Sequence, residues 1–510
     1  MSPRRPCRTS QPIKFTKTLH DFIRHRELGL GKPLGFDDFI SAKFYTNFDK
    51  FETVEKQKTT RKYGGVFNLE FSNDGRILVA ACEEKSILLY DAATQKCFKT
   101  ITEAHSNCVN CVRFLDTYTF ATCSDDKTIK LWDLRNLRKE TRSLYGHRNW
   151  VKNIEYSKSE NLLVTSAFDG SVYTWDIKGD SENNTPYNTA LLMNGIMRTK
   201  LTPDGEKMVI STTSGYMIII HNLQLSTLSS DLGSFKPDIY RLMQLTEQNF
   251  PAGNIYNFLF HPSRRRNRIE FIDDFPNRAE VISSLQIHPH GWSALSRNIN
   301  ADESEDWTCV HDIQLREPSD YLDYVTVDES NELIDTDDEG FSNNYKPTDL
   351  WVGFVTNDLL NTERNSMPHT SRDLQPFRSM NSGLLGQNTY KTFLRQYPHY
   401  QNKLVRNLPR LTHYMKEESV GKGFIKEVCF SQDGRVICSP FKRGVRILGF
   451  SERAQELPYC LPTESKKLCT LVKMSDYHKD VVVCCKFNPV HMKLVSGCLG
   501  GDIVWYEPYI

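Results

Sequence analysis

Three times in this chain a histidine stands 27 or 28 residues ahead of a tryptophan: His105 before Trp132, His147 before Trp175, and His478 before Trp505. Trp132 and Trp175 are 43 residues apart, and Tyr90 precedes Trp132 by 42. Inside the period, "HSNCVNCVRFLDTYTFATCSDDKTIKLWD" holds three short alternating runs separated by turn residues, and "HRNWVKNIEYSKSENLLVTSAFDGSVYTWD" repeats the layout. A unit of this size cannot bury its apolar faces alone; copies stacked radially around an axis can. The spacing therefore predicts an all-β chain folded as a β-propeller. That architecture also accommodates 510 residues, because it grows by adding blades instead of enlarging one core.

Weaker units follow the same grammar. "GGVFNLEFSNDGRILVAACEEKSILLYD" (64–91) opens the array, with Tyr90 in the tryptophan position. A fourth unit is "MRTKLTPDGEKMVISTTSGYMIIIHNL" (197–223), and a fifth combines residues 282–296 with 307–313. Residues 424–450 and 478–508 supply a sixth and a seventh, so seven blades are expected. The last strand ends near Ile510, so the outer strand of the final blade is expected from before residue 64, around Phe51–Lys58. Such pairing would close the ring and remove an open sheet edge.

The repeats resemble the WD-repeat family, which implies a hydrogen-bonded tetrad within each well-formed blade. Carried over, one tetrad is His105, Thr122, Asp126 and Trp132, and the next is His147, Thr165, Asp169 and Trp175. A buried carboxylate and imidazole are tolerable only when fully paired, and together they would fix a turn. The same residue types could suggest a catalytic triad, but their recurrence in successive units argues for a structural role.

A net charge of +1 makes no overall case for nucleic acid or an anionic membrane, and no direct nucleic-acid contact is expected. Apolar runs such as "MIII" (217–220) are far too short to span a bilayer, and the basic start "MSPRRPCRTSQP" lacks an apolar stretch behind it. The expectation is an intracellular protein of the nucleus, the cytoplasm or both. Fourteen cysteines in such a chain read as reduced thiols. Cys108 and Cys111 form a CxxC, but residues three apart on a strand point to opposite faces, and no second CxxC completes a zinc site. Neither a metal nor a cofactor is expected. No phosphate-cradling glycine loop and no Gly-x-Ser-x-Gly occurs, so no catalytic residue is assigned.

Two stretches interrupt the array. Residues 224–280 read as an insertion between blades, and "SRRRNR" (263–268) within it as a solvated basic loop. Residues 301–340 carry 15 Asp and Glu against one Arg, and a long acidic and polar insertion, 314–410, is expected to be disordered. Thr336, followed by "DDEG", is a candidate phosphorylation site for an acid-directed kinase. Ahead of a propeller spanning 50–510, residues 1–12 read as a disordered tail and 13–49 as a helical segment. In that segment Phe15, Leu19, Phe22 and Ile23 recur at i, i+4, i+7 and i+8, one apolar stripe of a short amphipathic helix that Gly29, Gly31 and Pro33 terminate. A helix with no place in the ring either packs on its own propeller or inserts into a partner's groove.

Arg135, two residues beyond Asp133, has no role in the strand pattern that "KLWD" completes. Its Trp-Asp-x-Arg box, the related "WDIK" at 175–178, and the preceding helix resemble the WD-repeat substrate receptors of cullin-4 RING ubiquitin ligases. So do longer stretches such as "FATCSDDKTIKLWDLR" and "SGCLGGDIVWYEP". The resemblance implies a non-catalytic receptor that docks on the ligase adaptor, the large subunit of damaged-DNA-binding protein, and presents a protein substrate of unknown identity. By the same resemblance the docking residues are Phe15, Leu19, Phe22 and Ile23 of the helix, with Asp133, Arg135, Asp176 and Lys178 of the boxes. Lys178 departs from the pattern: it keeps the charge but loses the planar fork. The alternative is a WD-repeat scaffold in an RNA-processing or chromatin complex.

Overall fold

Short strands with one face apolar must stack, and here they do so as seven sheets, antiparallel but for a two-residue parallel edge at Lys466–Lys467 in blade five, whose inner strands each contact the next around a closed ring. The computed structural model describes residues 24, 27–29, 36–50, 60–177, 187–233, 235–246, 259–260, 264–300, 305–315, 324–326, 403–418, 425–457 and 464–509. Two compact units are present: Met1–Asp238 with Leu259–Leu322 and Asn407–Ile510, and Ile239–Phe258 with Asp323–Arg406. The first contains the seven-bladed propeller. In the second, most of the helix Pro237–Thr246 and a hairpin of Tyr324–Thr326 with Lys403–Val405 are described, joined by a Gln244 Nε2 to Val405 O hydrogen bond of 2.6 Å. Among the described residues no helix is long and apolar enough to cross a membrane.

The inner strands, in blade order, are Val66–Phe71, Val109–Phe114, Val151–Ser157, Ile196–Leu201, Val281–Ile287, Cys429–Phe430 and Val482–Phe487. Blades one, two and three complete their four strands from contiguous sequence and end at Cys97–Ile101, Arg142–Leu144 and Tyr187–Leu192. Apolar residues of successive blades interleave. Val79, Leu89 and Ile87 of blade one meet Val112, Phe114, Phe120 and Trp132 of blade two. Likewise Val66, Leu78 and Tyr90 meet Val483, Val495 and Trp505 of blade seven. Burying each such side chain contributes about 1.5–3 kcal/mol, so the ring is stabilised by the interfaces between blades.

Both interruptions fall inside blades. The segment 224–280 connects the third and outer strands of blade four, and Arg268–Ile272 within it pairs with Met217–His221 as that outer strand. It also contains the helix Leu225–Leu232, whose Leu225, Leu228 and Leu232 are buried. The basic run is correspondingly not a plain solvated loop. Arg264 lies 3.3 Å from Asp231 of the helix, while Arg268 is fully buried and bridges Glu270 at 2.6 Å. In blade five, Leu411–Glu418 pairs with Glu305–Asp312, so the long acidic insertion also sits between a third and an outer strand.

Ring closure differs from the expectation in its register. The strand that completes blade seven is Phe48–Lys50, paired Phe48 to Pro508, Asp49 to Glu507 and Lys50 to Tyr506. Phe51–Lys58 lies outside the described residues. A helix the repeat pattern did not reveal, Phe36–Thr46, leads into this strand. Its Tyr45 is buried with Phe48 and Phe487 between blades six and seven, and the Tyr45 hydroxyl donates to Asp433 Oδ1 at 2.8 Å. Arg435 Nη1 reaches Asp38 at 2.8 Å.

Candidate functional site

In blade two, Asp126 accepts from His105 Nδ1 at 2.9 Å. A carboxylate only accepts, so Nδ1 carries the proton and Nε2 is left to accept from the Thr122 hydroxyl, 2.8 Å away. Thr122 Oγ1 in turn accepts from Trp132 Nε1 at 2.9 Å. Burial alone would push the Asp126 carboxyl up, but hydrogen bonds from His105, Thr128 and the Ser106 amide hold it below the usual carboxylate range. Each of the four side chains is thus hydrogen-bonded to another member of the set within its own blade.

Blade three inserts a serine. Asp169 accepts from Ser171 Oγ at 2.5 Å, Ser171 Oγ faces His147 Nδ1 at 2.9 Å, and His147 Nε2 faces Thr165 Oγ1 at 2.7 Å. Trp175 Nε1 donates to Thr165 at 2.8 Å. Without a direct carboxylate partner and buried, His147 is pushed down to about 4 and stays neutral. The turn depends on Gly170 at φ +79°, where a Cβ would stand 2.1 Å from Met193 O. In blade seven, His478 Nε2 lies 2.6 Å from Ser496 Oγ, which lies 2.9 Å from the Tyr506 hydroxyl. Tyr506 thus holds the place that spacing had given to Trp505, whose indole N–H is buried without a partner among the described residues.

Arg135 lies at the end of the third strand of blade two. Its Nε is 2.9 Å from Asp133 Oδ1, its Nη2 2.6 Å from Oδ2, and its guanidinium 5.1 Å from the Tyr118 ring centroid. The bridge is therefore within its own blade, yet the Arg135 side chain remains 69% exposed. The hydrogen bonds from Arg135 hold the Asp133 carboxyl at about 2. Nη1 has no partner among the described residues, so the fork is oriented by Asp133 and still presents donors outward. Asp176 is exposed at the equivalent end of blade three. Lys178, Phe15, Leu19, Phe22, Ile23 and Thr336 lie outside the described residues. Just after Ile23 in sequence, the Leu28 amide donates to Arg24 O at 3.0 Å and Gly29 takes φ +66°, the left-handed conformation common at helix ends.

Tyr118 belongs to the turn between the inner and second strands of its blade, and the Leu134 amide donates to Tyr118 O at 2.8 Å. The Arg135 face is thus the face carrying those turns. On it opens a cavity of about 750 Å³, lined by the corresponding turns of other blades, including Ser157–Ser159, Thr202–Gly205 and Ser431–Gln432. On the opposite face Trp150 and Phe168 stand exposed, with ring centroids 6.2 Å apart.

Among the described residues the one group of three metal-capable side chains in mutual reach is Cys429, Cys438 and Cys485, all buried. Cys429 and Cys485 sulfurs are 3.7 Å apart, inside an apolar cluster and, among the described residues, with no fourth donor of the kind a structural zinc takes. Cys108 is not part of it.

Comparison with known proteins places this geometry in context. A family profile described as the Vps8 beta-propeller matches residues 45–140, and one described as WD domain, G-beta repeat matches residues 138–176. DDB1- and CUL4-associated factor 10 of Danio rerio is 37% identical over 466 residues, covering 88% of this chain and 76% of its own. The Homo sapiens protein of that name is 34% identical over 523 residues, covering 96% of this chain and 78% of its own. Among solved structures, the Cps50 (Swd1) beta-propeller domain of Myceliophteria thermophila is 12% identical, covers 90% of this chain and 99% of its own, and has a TM-score of 0.48.

Proposed function

The chain belongs to the DDB1- and CUL4-associated factor 10 family, and from that premise we propose that it is a non-catalytic substrate receptor of a cullin-4 ubiquitin ligase. It docks on the adaptor DDB1 and holds a target protein near ubiquitin-transferring machinery carried by other subunits. Its contribution to the reaction is proximity, which converts a bimolecular encounter into one within a complex. Such a receptor works inside the cell, in the nucleus, the cytoplasm or both.

The observation that carries this reading is Arg135, steered by Asp133 and the Tyr118 ring while most of its surface stays in solvent. A planar fork held in one orientation loses little entropy when a partner's carboxylate or carbonyl meets it, and arginine is enriched at binding hot spots. Asp133 belongs to the same patch, with Asp176 and Lys178 at the matching positions of the next box. The helix stripe Phe15, Leu19, Phe22 and Ile23 supplies the apolar half of the contact. Segment 36–46 has a different role, since it packs on its own propeller. The opposite face, with Trp150 and Phe168 exposed, is left for substrate.

The deciding experiment is capture of purified DDB1 by the full chain and by a variant combining Arg135→Ala with Phe22→Asp. Loss of capture with an unchanged unfolding midpoint supports docking through these residues. Wild-type capture by the double variant overturns it.

A further inference from the structure

One residue position recurs around the channel that opens on the Arg135 face. In each inner strand it is occupied in turn by Glu70, Arg113, Glu155, Lys200, Gln286, Cys429 and Lys486, paired in the second strand with Val79, Ala121, Val164, Val209, Leu295, Cys438 and Val495. Five of the seven are charged, alternate in sign and touch in sequence around the ring. Lys486 Nζ lies 2.6 Å from Glu70, Arg113 lies 3.3 Å from both Glu70 and Glu155, and Lys200 Nζ lies 2.7 Å from Glu155. The arc thus begins and ends on an ammonium. Between those two ends, on blades five and six, stand the uncharged Gln286 and the short Cys429.

Three cations therefore face two carboxylates, and the surplus charge borders the break. The rest of the 750 Å³ cavity does not correct it. Its other charged lining residues are Lys158 and Asp204, whose opposite charges cancel, the Asp204 carboxylate being held ionised by the Thr202 hydroxyl at 2.5 Å and the Glu206 amide at 3.0 Å. One position deeper, Arg198 of blade four meets Glu427 of blade six at 2.6 Å, and Ser284 donates to Glu427 at 2.9 Å. That floor is neutral in sum.

We propose that the break takes one carboxylate of the docking partner, an Asp or Glu side chain that reaches in from the Arg135 face and seats between the Lys200 and Lys486 ammoniums. The assignment rests on the docking reading above and names a second anchor for it. Inserting an anion there completes the alternation, so each ammonium gains a carboxylate on its open side. A protein side chain is favoured over a small anion because the cavity shares its face with Arg135, so one partner surface can engage both.

The test uses the full chain and purified DDB1, at one fixed salt concentration. Gln286→Glu places a carboxylate in the break from within. It is expected to weaken DDB1 binding by about tenfold and to raise the unfolding midpoint, while Gln286→Met changes neither much. Lys200→Met is expected to weaken binding by a similar factor. If Gln286→Glu binds like wild type while Arg135→Ala is impaired, the carboxylate site is overturned and docking stands. If neither variant is impaired, both readings fall. If inorganic phosphate raises the unfolding midpoint of wild type but not of Gln286→Glu, with DDB1 binding equal in the two, the break holds a free anion and the partner assignment is overturned.

Discussion

The Arg135 guanidinium closes on the Asp133 carboxylate two residues behind it, with Nη2 2.6 Å from Oδ2 and the Arg135 amide 2.9 Å from Oδ1. Exposed ion pairs contribute little to stability, so this one matters for where it points the fork. Arg135→Ala should leave the unfolding midpoint where it is and sharply reduce DDB1 capture. Asp133→Asn keeps an acceptor but loses the charge that holds the fork, and should give an intermediate loss. Equal capture by all three proteins would separate Arg135 from docking.

Buried neutral imidazoles give the fold a defined acid limit. Burial pushes His147, His288 and His413 down to about 4 and His478 to about 3, from an ordinary 6.5. Between those values the unfolded chain binds more protons than the folded one, so stability must fall as pH drops from 6.5 toward 4. Carboxylates of the unfolded chain titrate only near about 4, so the upper half of that window belongs to histidine. Unfolding midpoints measured at pH 7.5, 6 and 5 should decline steadily. A flat profile across those values would mean the imidazoles are not held neutral.

Blade seven offers a sharper comparison, because its two adjacent aromatic residues have exchanged roles. Tyr506 sits opposite Leu494, as Trp132 sits opposite Phe120, and its hydroxyl joins Ser496 and His478. Tyr506→Phe should therefore cost about 1 kcal/mol through the lost hydrogen bond. The Trp505 indole N–H has no partner to lose among the described residues, so Trp505→Phe is expected to remove only packing volume. Trp132→Phe, by contrast, strips the donor from Thr122 and should cost more than Trp505→Phe. Chemical unfolding of the three variants gives the ranking directly.

That exchange shows where sequence spacing stops being informative. The repeat length located seven blades, three of them through the His-to-Trp interval, because it is set by strand and turn lengths, which recur. It cannot resolve a one-residue offset, and on a strand one residue reverses which face a side chain takes. The outer strands of blades four and five were hidden for another reason: Arg268–Ile272 and Leu411–Glu418 pair across long insertions, so nothing local announces them. The helix Phe36–Thr46 had a faint signal, Ile40 and Phe44 one turn apart ahead of Tyr45, overshadowed by the stronger stripe at Phe15–Ile23. Arg135 was legible as a residue without a structural need; its anchoring by Asp133 and Tyr118 was not. The charged arc was invisible for a simpler reason. Five inner strands each contribute one charged residue to it, and only closure of the ring makes them neighbours.

Closure itself depends on residues well outside the repeats. Tyr45 is 2% exposed, its ring packs against Phe48 and Phe487, and its hydroxyl donates to Asp433, whose carboxylate also accepts from Ser431 and the Arg435 amide. Phe48 then starts the strand that covers the edge of Ile503–Pro508. Removing the Tyr45 ring opens a cavity between blades six and seven and weakens the anchor of that strand, so Tyr45→Ala should cost about 3–5 kcal/mol. Tyr45→Phe keeps the packing and leaves Asp433 with two donors, and should cost about 1 kcal/mol or less. Deleting residues 1–50 removes the strand as well and bares the edge, so that protein should self-associate at concentrations where Tyr45→Phe stays monodisperse. Urea unfolding and light scattering of the three proteins test this together. A truncated chain as stable and as monodisperse as the intact one would show that blade seven needs no fourth strand.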